Sequence, residues 1–268
     1  MIKRILSLSL CLLLLCSPCI ASDYTNEKPY RNMKTIAKPF GWAVGDEFPN
    51  IGKIIKFGHN AAIAASEEVV WETGGMYTYL TSEEQLYVSS GSGADDIGST
   101  GALTVELQGL DGNYNPVTDT INMDGGTPVE TNESFLRIFR VKVLTAGSGG
   151  TNAGVITIQN QVQDNTLATI SAGLGQTLMA IWTVPAGKTA RMVQLWGSDQ
   201  TKNGVDIRLY ARELGSVFQI KHSQEVADSA IIPFPLSLDF SEKTDIEVRG
   251  FGSASAGDVS GGFSAYYE

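Results

Sequence analysis

The chain has 268 residues, 43% hydrophobic and 18% charged, with 29 glycines. That apolar content is sufficient for a buried core and excludes a disordered chain. Lys and Arg number 19 against 29 Asp and Glu, a formal net charge of −10, so the protein lacks the positive surface that duplex nucleic acid or an anionic membrane selects.

Lys3 and Arg4 precede an apolar run from Ile5 to Cys16, interrupted only by Ser7 and Ser9. Ser17-Pro18 ends the run, and Cys19-Ile20-Ala21 places small residues at the −3 and −1 positions of a cut before Ser22. The pattern predicts a secretory signal peptide over residues 1–21, with a membrane anchor as the alternative; the run is short and one-sided for a spanning helix. Leu15 before Cys16 and Pro18 before Cys19 are not the small residues that a lipid-attachment site uses. All three cysteines lie in this leader, so the chain from Ser22 onward can form neither a disulfide nor a thiolate metal site. The expected location is secreted or on the exterior of the cell envelope, with no membrane contact after cleavage.

Residues 22–60 read as an extended arm. Pro29, Pro39 and Pro49 are too closely spaced for a helix, and the polar run Asn26–Lys34 has no apolar periodicity. Lys53–Phe57 resembles a short strand stopped at Gly58, Ala61–Ala65 is a small apolar patch, and Val69–Trp71 is a second short strand ending at Gly74-Gly75. Beyond that the chain is a series of punctuated strands. Val105 and Leu107 alternate with Thr104, Glu106 and Gln108, the period-2 pattern of a half-buried strand. Asp111-Gly112 and Asn115-Pro116 are turn pairs, after which Val117–Met123 can return as a partner strand. Between Phe135 and Leu144 the apolar phase flips from Leu136 and Ile138 to Phe139, Val141 and Val143, which predicts a β-bulge at Ile138/Phe139. Gly147–Gly150 reads as a loop and Val155–Ile158 as a strand. Leu178–Val184 runs into the turn Pro185–Lys188 and Thr189–Trp196 returns. Val205, Ile207 and Leu209 alternate with Asp206, Arg208 and Tyr210, and Ile246 and Val248 with Asp245, Glu247 and Arg249. Strands every 8–12 residues with Gly, Asn and Asp turns predict an all-β, antiparallel β-sandwich of jelly-roll type. A polar seam near residues 160–176 divides it into two lobes, 61–160 and 161–268.

The residues that carry chemistry are sparse. The two histidines, His59 in a Gly-His-Asn turn and His222 at a strand end, have no second His at metal-ligand spacing, and both read as surface residues. Gly147-Ser148-Gly149 lacks the frame of a nucleophile elbow, and strand 155–158 follows it where a dinucleotide site requires a helix. Asp111, Asn113 and Asn115 match the front half of a calcium loop. Pro116 stands where Gly is needed, however, and Asn122 where a bidentate Glu belongs, which favours a plain turn. Asp95-Asp96 could face a cation, but such pairs are usually solvated. Glu67-Glu68 and Glu83-Glu84 read as protection of strand edges. Trp42, Trp71, Trp182, Trp196, Tyr77, Tyr79 and Tyr87 could line a sugar-binding face or an interface. Tyr77 and Tyr79 fall on one side of a strand, with core packing the favoured role. The sequence therefore nominates no catalytic, cofactor-binding or metal-binding residue.

Several stretches carry a resemblance: Lys56–Asn60, Glu68–Gly75, Val105–Asp111, Asn113–Asn115, Ser134–Ile138, Thr145–Gly154, Ile170–Gly173, Gln176–Ala180, Val184–Ala190, Asp206–Leu209 and Glu242–Glu247. Across roughly residues 48–268 the chain resembles a family of tailed-phage virion structural proteins. The resemblance implies a capsid-decoration or head-fibre-like subunit of β-sandwich lobes that acts by assembly, with no catalytic residues. The leader departs from that pattern, because phage particles assemble in the cytoplasm. Location is therefore read from the leader and fold from the family. The expected partners are copies of the same chain or a larger protein assembly. A secreted carbohydrate-binding or adhesin-type module with a surface glycan as ligand is the alternative.

Overall fold

The computed structural model describes residues 51–63, 65–252 and 257–268; the leader and residues 22–50 of the expected arm lie outside them. The protein is all-β. Its named strands pair antiparallel throughout, in sheets that do not close into a barrel.

Two sheets form a jelly roll. The first has the order β1 (Gly52–Ile63), β16 (Gly257–Tyr267), β11 (Ala190–Asp199), β14 (Ser229–Phe240). The second runs β10 (Ile181–Thr183), β15 (Asp245–Gly252), β12 (Val205–Arg212), β13 (Gln219–Val226), and β2 (Glu67–Val69) also pairs with β15. β2 and β10 are two halves of one strand. β2 lies along residues 249–251 of β15 and β10 along residues 245–247, and Val70 and Ala180 close the gap around Val248 through backbone hydrogen bonds of 2.9–3.0 Å. With the halves counted as one, the strand order is 1-8-3-6 over 2-7-4-5, the double Greek key of a jelly roll. Its core is Trp182, Met192, Leu195, Ile207, Val248 and Phe263 with their neighbours.

Residues 71–179 are an insertion in the middle of that strand. They form a second sandwich, with β6 (Val129–Phe135), β3 (Glu84–Ser90), β8 (Ile156–Gln159) and β9 (Thr166–Ile170) facing β5 (Pro116–Asn122), β4 (Ala102–Leu110) and β7 (Arg137–Ala146). Leu86, Leu107, Phe135, Val141, Ile158 and Leu167 are central to its core. The alternation at Val105 and Leu107 is realised in β4, with both side chains fully buried. The bulge falls where the phase flip puts it: Gln108 pairs with Arg140 and Gly109 with Ile138, leaving Phe139 as the extra residue.

The lobe boundaries do not follow the expected division. Residues 52–60, assigned to the arm, are most of β1 and pair with the C-terminal strand, while β9 falls inside the polar seam and belongs to the inserted sandwich. The chain leaves and re-enters the jelly roll within a strand, so no linker composition marks the junction. Gly58 does not stop β1 either. A Cβ there would overlap the Val70 carbonyl oxygen and lie 2.6 Å from the Ala180 amide nitrogen. The glycine lets β1 cross the break in the split strand at van der Waals distance.

Candidate functional site

The alternating strands β12 and β15 each bury one face in the jelly-roll core and turn the other, polar face toward the inserted sandwich. Asp206, Arg208, Tyr210 and Arg212 stand beside Asp245, Glu247 and Arg249. That polar face is covered, with Glu247 only 1% exposed and Asp245 3%. Arg137 of β7 reaches across and holds Asp245 through Nε (2.8 Å) and Nη2 (3.2 Å). Asp245 also accepts from Arg212 Nη2 at 2.6 Å and Thr183 Oγ1 at 2.7 Å. Glu247 accepts from Arg249 Nε at 2.6 Å and the Tyr79 hydroxyl at 2.8 Å. Glu67 receives Arg249, Arg208 and Tyr210 at 2.7–2.9 Å, and Asp206 receives Arg208 and Ser223. Both oxygens of all four carboxylates are engaged. Burial would raise the Glu67 carboxyl, but donation from Tyr210, Arg249 and Arg208 outweighs it and holds the group below its ordinary range. Glu247 goes the other way: burial dominates and raises it despite Arg249. An open cleft of about 520 Å³ borders this cluster, lined by Tyr79, Tyr114, Arg137, Arg212 and Asp245. Every oxygen of the four carboxylates accepts at least one hydrogen bond. The cluster is a polar joint between the two sandwiches.

A second joint is centred on His59. The sequence places this residue in an exposed turn; it sits inside β1, half-buried between Glu72 (Nδ1, 2.9 Å) and Asp258 (Nε2, 2.8 Å). Glu72 in turn accepts from the Ser171 hydroxyl. Burial disfavours the imidazolium, but the two carboxylates outweigh it and raise the His59 pKa above 6.5. The carboxylates occupy opposite ring nitrogens, so the group does not converge on a metal position. A third joint is Lys56, which sequence reading passes over. Its ammonium is buried, donates to the Phe139 carbonyl at the bulge and lies 5.8 Å from the centre of the Phe139 ring. Burial, aided by Arg140, pulls its pKa down to about 7.

The remaining candidates resolve into structure. Asp95 is fully buried and accepts from Ser90 Oγ and the amides of Ala102, Ala153 and Gly154 at 2.6–2.8 Å, so it organises loops and its oxygens are not turned to a solvated cation. Asp111 Oδ1 accepts from the amides of Asn113 and Asn115, both at 2.8 Å, as in a plain Asx turn. Glu67 and Glu68 lie on β2 at the edge of the second sheet, where Glu67 is in the joint and Glu68 holds Asn60 and the Gly75 amide. Glu84 opens the interior strand β3, and Glu83 accepts from the Gly112 amide. Tyr77 and Tyr79 do not lie on a strand; they pack edge to face at 4.7 Å, with Trp71 against Tyr77 at 5.1 Å. Trp182 is core, Trp196 and Tyr87 are half-buried, and Trp42 lies outside the described residues. His222 sits within β13 against the ring of Phe234.

At the β13–β14 end of the jelly roll, among the described residues, β13 pairs only with β12 and β14 only with β11. Between Gln194↔Pro233 and Met192↔Leu238, β14 bulges outward and lifts Leu236 to 86% exposure, with Val217 at 73% and Ile231 at 71%. Pro233 and Pro235 remove two amide donors from the β14 edge. The sequence matches no protein-family model, and a search of curated proteins returns no match.

Proposed function

We propose that the protein is a non-enzymatic structural subunit, exported and acting through subunit–subunit contacts, as implied by its resemblance to tailed-phage capsid-decoration and head-fibre-like proteins. The observation that carries this reading is the β13–β14 end, where Val217, Leu238 and Phe240 line one groove and Ile231 and Leu236 are exposed along β14. Jelly rolls serve capsid and lectin domains alike, so the fold does not choose between assembly and glycan binding. The aromatic residues favour assembly, because Trp71, Tyr77 and Trp182 are packed inside and do not form a sugar-binding platform. The test is the solution mass of residues 22–268 by light scattering, with electron microscopy of the same sample. Trimers, rings or filaments are the expected result; a monomer at all concentrations overturns the reading and makes a glycan-array screen the next measurement.

A further inference from the structure

We infer that residues 36–44 of one copy dock into the groove between β13 and β14 of a second copy. The inference rests on the assembly reading and names the contact that makes it. The groove has a volume of about 460 Å³ between β13 and β14, with Val217, Leu238 and Phe240 as its apolar part and Glu213, Asp239 and Lys221 beside them. Phe240 is otherwise a core residue of the jelly roll, so an occupant would extend that core.

The position where the described chain begins points to the occupant. Gly52 pairs with Tyr267, Tyr267 with Ala190, and Ala190 with Phe240, so the start of β1 and the groove share one row across the sheet. Three strand spacings separate them, roughly 14 Å. The described chain therefore begins at the groove end of the molecule, and residues 45–51, which tether residues 36–44 to β1, could span up to about 25 Å at full extension, enough for the groove of an abutting copy. The arm's composition suits the site. In an extended chain Phe40, Trp42 and Val44 fall on one side, and Gly41 and Ala43 on the other. Lys28, Arg31, Lys34 and Lys38 precede them with no acid between, whereas residues 51–268 carry 13 Lys and Arg against 25 Asp and Glu. An apolar strand with a basic flank suits a groove that combines an apolar patch with a polar rim on an acidic body.

The test uses two variants of the chain from residue 22. V217E changes the groove at a strongly exposed lining position, and F40S/W42S changes the arm. The expected result is an oligomeric parent, monomers for each variant alone, and dimers when the two variants are mixed, since one keeps its arm and the other its groove. If the parent is oligomeric and both variants keep its mass, the docking site is wrong and the assembly reading stands. Monomeric variants that fail to pair on mixing also overturn the docking. A monomeric parent overturns both.

Discussion

Replacing Lys56 with Met isolates the cost of burying an ammonium group with no carboxylate beside it. The side chain is 6% exposed, and its pKa falls from 10.5 to about 7 through burial and the neighbouring Arg140. A folded-state pKa below the unfolded one means that the native protein holds the proton less tightly. Stability is therefore reduced in full below pH 7 and regained as pH rises toward 10.5. At about 1.4 kcal/mol per unit, the penalty at pH 6 is on the order of 5 kcal/mol. Met fills much of the same volume without the charge but leaves the Phe139 carbonyl without its donor, a loss of about 1–3 kcal/mol. The variant should therefore be more stable than the parent by about 2–4 kcal/mol at pH 6, and less stable by about 1–3 kcal/mol at pH 10.5. Urea unfolding of both proteins at pH 6, 8 and 10 measures the difference. A stability difference that does not change with pH would refute the argument.

Three further perturbations probe the joints. His59 has a raised pKa, so its contribution is complete below pH 6.5 and fades as pH climbs through the folded value; H59Q should cost more stability at pH 5.5 than at pH 8.5, and a His59 NMR titration midpoint at or below 6.5 would contradict this. G58A forces a Cβ into the backbone of the split strand and should destabilise by about 3 kcal/mol or more, read as a fall in Tm; an unchanged melt would mean that β1 does not cross the break so closely. D95N places an amide group against a site built from four donors and should cost about 2–4 kcal/mol at pH 7, with the two proteins converging as pH falls through the depressed pKa of Asp95; equal stability at neutral pH would show that the loops do not depend on its charge.

The strands and the fold class were legible because period-2 alternation reports which side of a strand is buried. Val105 and Leu107 in β4 and Val205 and Ile207 in β12 are clear cases. Even the bulge was legible, since an extra residue shifts that period, and Phe139 shifts it. The domain plan was not. Which strands share a sheet depends on pairings such as Gly52–Ile63 with Gly257–Tyr267, and no local pattern encodes a partner some 200 residues away. The interruption at Val70 and Ala180 is equally silent, because both are ordinary strand residues whose bond across the gap exists only after folding.

The same limit explains the site residues. Asp206, Arg208, Asp245, Glu247 and Arg249 read as the solvated side of two amphipathic strands, and the alternating signs on what proved to be adjacent strands were the available clue. What sequence could not supply was the cover: Tyr79 and Arg137 come from the insertion and convert a wet face into a dry one. With both carboxylate oxygens of Asp245 and Glu247 hydrogen-bonded across the junction, that face ties the two sandwiches together. His59 and Lys56 are drawn into the same task from β1, each bonded to a residue of the insertion. These polar groups fix the insertion to the jelly roll. Among the described residues β13 and β14 each pair on one side only, and the apolar side chains exposed beside them, Val217 and Leu236, are what the proposed subunit contact would cover.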